Sequence, residues 1–292
     1  MKNLRFCLAA LAFFPIISQG NEAPEASVYP AGFVFVEELQ GSDQHEAQPD
    51  GWQALPRGRA FPVLPSDPRD LKLGLRKNNK DELEADVGGY RSLAGWKGDW
   101  WGESAIFHTG IEGNGYFQMR QQGSKFPLQS SDGLVGVYGE AARGLWMYQL
   151  RFTHISAHLS DGLFGQRSAF VYTREFIALR AARQVGYFRP YVGYQVLTHV
   201  SPTVPRHSLQ IGAYGILPMH WGIAHPYVGG DLRIRNAQEG TTFQLGAGAA
   251  FVSKSGMPPV RVVVTYLKGH DLRGQFYEER TEKWTLGLEL DI

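Results

Sequence analysis

The triplet His154-Ile155-Ser156 places a base and a nucleophile two residues apart. On an extended chain alternate side chains share a face, so the imidazole can reach the Ser156 hydroxyl and remove its proton. Ser156 would then attack an acyl carbon, with His154 as base and a third group orienting the ring. Asp161, in the turn that follows, is the acidic candidate for that third place. Glu175 is set aside, because its parity is wrong for a face shared with His154. No G-x-S-x-G, P-loop, H-E-x-x-H or G-x-G-x-x-G pattern supplies a competing centre. The bland account is a polar collar, where His154, Ser156 and His158 mark the meeting of an apolar wall with lipid headgroups. A metal site from His154, His158 and Asp161 would put two ligands on one wall and lack a fourth. No metal or cofactor is expected.

The element that must carry the pair is 146–161, WMYQLRFTHISAHLSD. Trp146, Tyr148, Leu150 and Phe152 precede His154, Ser156 and His158 on one face, against Met147, Gln149, Arg151 and Thr153 on the other. A soluble sandwich would bury the greasy face, whereas a membrane barrel turns it to lipid. The same alternation recurs in 242–252 and in 283–292, where Trp284, Leu286, Leu288 and Leu290 oppose Thr285, Gly287 and Glu289. Twelve strands are expected at about 71–77, 83–94, 104–118, 133–142, 145–159, 168–180, 187–199, 207–217, 223–235, 242–252, 260–268 and 283–292. The fold expected is all-β, a single antiparallel transmembrane β-barrel over 71–292, in the bacterial outer membrane. An even count leaves both barrel ends on the periplasmic side and makes 119–132 and 269–282 external. Arg151, Tyr191, Gln195, Tyr227, Asp231, Arg233, Gln244 and Glu289 have the parity to point inward, where mixed charge can satisfy itself. A narrow channel or a purely structural barrel is the alternative to an enzyme.

Composition agrees with this placement. Residues 1–20 carry a basic start, a short apolar run at 6–17 and small residues at Ser18 and Gly20, which together read as a secretory signal. The single cysteine, Cys7, lies inside it. Without Lys2 and Arg5 the 29 basic residues fall to 27, against 28 acidic ones, so no basic excess points to nucleic acid. Residues 21–70 hold seven prolines and are read as an extended periplasmic arm, a linker in preference to a plug, because proline blocks ladder hydrogen bonds. The expected partners are outer-membrane lipids and the outer-membrane assembly machinery. The alternating apolar end of the chain is similar to the signal that machinery reads, with Ile292 where Phe is usual.

Five stretches in order, 61–76 (FPVLPSDPRDLKLGLR), 130–140 (SSDGLVGVYGE), 151–162 (RFTHISAHLSDG), 172–176 (YTREF) and 274–277 (GQFY), resemble the bacterial family catalogued as domain of unknown function 1207. The resemblance implies an exported outer-membrane barrel and attaches no activity. That family's strand end is closer to His-x-Ser-Ser-His-x-Gly-Asp-Glu; here Ala157, Ser160 and Gly162 stand at three of those places, and Asp161 alone keeps the acidic end. The His-x-Ser pair itself is similar to that of outer-membrane phospholipase A and of the lipid A deacylases. The resemblance implies a pair on the lipid-facing wall near the external leaflet, with an Asn or Glu fourteen residues after the His. That position is Ser168, a poor orienter.

Overall fold

The computed structural model describes residues 50–290 except 164, 220, 236–238 and 253–257. The proposed signal at 1–20, the arm as far as 49 and Ile292 lie outside the described residues. The strands are β1 (Gly51–Ala54), β2 (Leu73–Asn78), β3 (Glu82–Trp100), β4 (Glu103–Arg120), β5 (Leu128–Arg143), β6 (Trp146–Leu159), β7 (Tyr172–Arg183), β8 (Phe188–Ser201), β9 (His207–Ile216), β10 (Ala224–Ile234), β11 (Thr241–Phe251), β12 (Val260–His270) and β13 (Arg280–Leu290). Strands β2 to β13 pair antiparallel in chain order, and β13 returns to β2 through Leu290↔Leu73 and Thr285↔Asn78. The result is a closed twelve-strand barrel. The short β1 lies outside that count and pairs with β3 through Gly51↔Lys97 and Ala54↔Ala94.

Period-two patterning decides which way each side chain faces. On β6, Met147, Gln149, Arg151 and Thr153 are buried, while Leu150 and Phe152 are exposed. On β13, Thr281, Lys283, Thr285 and Glu289 are buried, while Trp284, Leu286 and Leu288 are exposed. A soluble protein inverts this arrangement; a barrel with apolar outer walls and a polar interior is built for lipid. Two-residue turns at Trp101-Gly102 and Gly144-Leu145 close the end that holds both barrel termini. That end also has the connections 217–223 and 252–259, at least as long as 121–127 at the other, but the longest two, 160–171 and 271–279, both lie at the other end. Two-residue turns at one end and the longest loops at the opposite one are the pattern of periplasmic turns and external loops.

Part of the expected arm is not an arm. Residues 56–72 run through the lumen, where Phe61, Leu64, Asp67 and Leu71 are almost wholly buried. Phe61 and Leu64 pack against Met147, Tyr191 and Tyr214 of the wall. Asp67 pairs with Arg180 at 3.0 Å, contacts Arg233, and accepts a hydrogen bond from Gln210 Nε2 at 3.0 Å. Arg59 pairs with Glu140 at 2.6 Å and Arg69 with Asp132 at 2.5 Å. Proline does bar this segment from a ladder, but polar wall residues satisfy it instead: Gln244 Nε2 donates to the Ser66 carbonyl at 3.0 Å. The segment read as a linker is therefore a plug over 56–70. Leu71, expected at the start of a strand, turns inward against Tyr116 and Leu134, and the strand begins at Leu73.

The wall charges also satisfy each other, as mixed parity suggested. Arg151 holds Glu112 through two hydrogen bonds of 2.8 and 2.9 Å, and Arg76 bridges Asp86 at 2.7 Å and Glu289 at 2.8 Å. At the external mouth the connection 271–279 folds inward, its Gln275 amide donating to the carbonyls of Ala157 and Phe170 at 2.8 Å each. Gly274 sits so close to Ala157 and Tyr172 that an added Cβ would fall 2.4 Å from one and 2.5 Å from the other.

Phe152→Lys puts a charge on the outer wall of β6, and its cost in lipid vesicles is about 2–4 kcal/mol by equilibrium unfolding; a cost below about 0.5 kcal/mol would mean that this face meets water. In the external loop, burial would raise the Asp271 carboxyl, but the adjacent Arg273 guanidinium overcomes this and holds it well below the usual carboxylate range. A depressed carboxylate stabilises above its ordinary value of 3.8 and loses that contribution as the pH falls toward the folded value. Protection of 271–279 from hydrogen exchange should be level from neutral pH to about pH 4 and decline below it. Asp271→Asn should lose protection at every pH.

Candidate functional site

The outer wall of β6 near its external end carries His154 and Ser156, as alternation expects. Both are half-buried, and Ser156 lies three residues before the strand ends at Leu159, roughly 10 Å along the chain. Ser156 is flanked by Gly133 on β5 and Thr173 on β7; His154 is flanked by Val135 and Glu175. Glu175 thus shares the outer face with His154, and its Oε1 stands 3.5 Å from the imidazole Nδ1. The parity that excluded it is corrected by the hairpin. Strand β7 starts at Tyr172, after a 3-10 turn at Asp161–Leu163 and a left-handed Gly165 at φ 72°, and not at 168. The ladder therefore pairs His154 with a residue an odd number of positions away. Ser168, the place indicated by resemblance, lies in the loop.

Asp161 sits in that 3-10 turn, exposed and beyond the end of the strand. The structure does not bring it to His154; the carboxylate beside that ring is Glu175. No hydrogen bond joins His154 to Ser156 among the described residues. With Nδ1 turned to Glu175, Nε2 is the ring nitrogen left to accept the Ser156 proton, the division of labour found in an acid–histidine–serine relay. Catalytic hydrogen bonds are often long before substrate binds.

The neighbourhood is polar beyond the three residues. His199 on β8 opposes Glu175 from the other side, and Ser201 opposes Thr173. A β-bulge shifts the β7–β8 register between Glu175 and Phe176, so that Thr198 and His199 are both exposed and Leu197 stays buried. The sequence held one sign of this: adjacent Arg174 and Glu175 on a greasy strand require one charge to face outward. Arg174 is buried on the lumen side, and Glu175 is the one that faces out.

Among solved structures, outer membrane phospholipase A from Escherichia coli is similar at 15% identity and TM-score 0.50, covering 80% of this chain and 95% of that one. The β domain of the Bordetella autotransporter BrkA matches at 12% identity and TM-score 0.42, over 76% of this chain and 96% of that one. OmpT of Vibrio cholerae matches at 11% identity and TM-score 0.36, over 78% of this chain and 99% of that one. No protein-family model and no curated protein matches the sequence. At 15% identity the first likeness shows the fold. A closed twelve-strand barrel with an apolar outer wall places the chain in the bacterial outer membrane.

The His154 and Glu175 side chains are 41% and 38% exposed at the strand end that meets the hydrated headgroup layer, where screening leaves their pairing worth little to the fold. His154→Ala, Ser156→Ala and Glu175→Ala should each change unfolding stability by about 1 kcal/mol or less. Glu112→Ala strands the buried Arg151 and should cost about 3–5 kcal/mol by the same equilibrium unfolding measurement. Equal costs at the two places would mean that the wall-side group is structural.

Proposed function

We propose that this protein is an interfacial hydrolase of lipid acyl esters, acting from the lipid-facing wall near the outer leaflet. The observation that carries the reading is Glu175 at the Nδ1 side of His154, with Ser156 two residues on along the same face. Ser156 Oγ attacks the ester carbonyl while His154 Nε2 takes its proton. The acyl–serine ester forms, and the proton passes to the departing alkoxide. Water then attacks the acyl group with His154 again as base, releasing the fatty acid and restoring the hydroxyl. Glu175 orients the ring and stabilises the imidazolium as it forms. Asp161 has no part in this scheme. Acyl chains of outer-leaflet lipids lie against the apolar row Leu150–Phe152, which brings an ester group level with Ser156. The assembly machinery of the outer membrane is the partner proposed for insertion, and the motif-level similarity to domain of unknown function 1207 is the family context proposed.

The alternative is a barrel without activity. A channel is the weaker form of that alternative, because the lumen is occupied by 56–72 and capped by 271–279.

The deciding measurement is lipid mass spectrometry on outer membranes carrying the wild type, Ser156→Ala or Glu175→Gln. Free fatty acid and deacylated lipid should appear with the wild type and vanish with Ser156→Ala. They should fall at least about tenfold with Glu175→Gln. Identical lipids in all three membranes would leave the polar-collar account standing.

A further inference from the structure

The inward side of β7 faces a cavity of about 100 Å³ at the external half of the lumen. Among the described residues seven arginines line it. Arg69, Arg151 and Arg180 are paired with Asp132, Glu112 and Asp67, which leaves Arg174, Arg206, Arg233 and Arg235, and Glu239 is the one carboxylate in that lining. Arg174 is the informative member, at 3% exposure. Its Nη1 donates to the carbonyls of Ser201 at 2.6 Å and of Thr173 and Pro202 at 3.2 Å each, and the guanidinium stacks 4.2 Å above the Tyr172 ring. One corner of the group is thereby pinned. The opposite edge, Nε and Nη2, is buried and makes no hydrogen bond among the described residues. Glu239 Oε1 stands 3.6 Å from Nη2, an ion-pair distance and no more.

Neighbouring cations repeat the shortage of acceptors. The Nε atoms of Arg233 and Arg235 are also buried without a hydrogen bond among the described residues. Arg233 is otherwise engaged by Asp67, and its Nε lies 3.4 Å from Asp231. Among the described residues the Arg235 side chain has only Thr242 Oγ1, at 2.9 Å, as a hydrogen-bond acceptor, and Arg206 on the rim donates to the Thr198 carbonyl at 3.2 Å. Burial lowers Arg235 from its ordinary value; Glu239 opposes the shift, and Arg233 and Arg69 add to it.

Buried donors without acceptors are costly and uncommon in folded proteins. The Nε–Nη2 edge of arginine is the fork that receives two oxygens of one oxyanion. Arg174, Arg206 and Arg235 set against Glu239 leave two positive charges over. A phosphate monoester, carrying about −1.5 to −2 at neutral pH, matches that excess, and a carboxylate does not. We propose that this cavity is a phosphate-binding site, in which the Arg174 fork holds two phosphate oxygens and Arg235 and Arg206 supply the remaining charge. Its rim at Pro205 and Arg206 belongs to the β8–β9 connection on the external side. The phosphate comes from an outer-leaflet glycolipid headgroup or from a soluble monoester. The site lies on the opposite face of β7 from Glu175 and stands apart from the proposed hydrolysis.

Calorimetric titration of the full-length protein in detergent micelles tests this with three probes: inorganic phosphate, a phosphorylated disaccharide lipid, and the same lipid with its phosphates removed. Saturable binding should require the phosphate group and weaken about tenfold or more in Arg174→Gln and in Arg235→Gln. Binding of inorganic phosphate assigns a soluble ligand; binding of the phosphorylated lipid alone assigns a headgroup. Heat-modifiable gel mobility reports folding of each variant. If Arg174→Gln does not fold, Arg235→Gln, just past the end of β10, decides. The proposal falls if neither phosphate-bearing probe binds, if the dephosphorylated lipid binds equally, or if folded variants bind as the wild type does.

Discussion

In hydrocarbon an unpaired backbone N–H or C=O has nowhere to go, and that constraint organises this molecule. The ladder from β2 round to β13 closes on itself through Leu290↔Leu73. Closure forces each strand to be two-faced. Leu150 and Phe152 go out to lipid, so Gln149, Arg151 and Thr153 must go in. Inside they have no bulk water. Each lumenal charge therefore needs a partner from another strand or from elsewhere in the chain. Breaking one buried pair by removing a single member exposes its counterpart to the full desolvation cost.

The plug answers that need. Asp67 supplies the carboxylate that Arg180 and Arg233 require, from strands separated by two others in the wall. Glu140 accepts from the backbone N–H groups of Ala60 and Phe61 at 3.0 and 3.1 Å, so the wall in turn caps the plug backbone. Proline suits this role. A segment that makes its hydrogen bonds to side chains gains from a backbone with fewer donors and a fixed φ. The external loop completes the filling through Gln275 and Gly274, with Asp132 accepting from both Arg69 and the Gly274 N–H.

What was legible in the residues was whatever repeats with period two. The twelve barrel strands, their faces and the lumenal identity of Arg151, Asp231, Gln244 and Glu289 follow from alternation, because lipid outside and charge inside leave opposite marks on successive residues. The plug left no such mark. Its prolines and acids are those of a linker, and its burial depends on partners more than 60 positions away, such as Asp132 for Arg69 and Arg180 for Asp67. Glu175 was hidden for a different reason. Parity across a hairpin depends on the residue count of its loop, and a 3-10 turn with a left-handed Gly165 changes that count without any repeating pattern. Asp161 was attractive by proximity in sequence, which a strand converts into distance.

Adjacent residues of one strand, Arg174 and Glu175, serve the two faces of the wall. A one-residue slip of β7 would exchange them, setting a carboxylate into the arginine-lined cavity and a guanidinium into the lipid-facing wall. The bulge at Thr198 takes up an extra residue on β8, so β7 keeps its alternation while Leu197 and His199 each find their side. Register is thus fixed by both faces at once: Arg174 is tied to three carbonyls within the barrel, and Glu175 is level with His154 outside it. Neither group could be moved to suit one face without misplacing the other. The wall-side group and the cavity are therefore separable by side-chain substitution, which leaves the strand in place, but not by any change that shifts the strand.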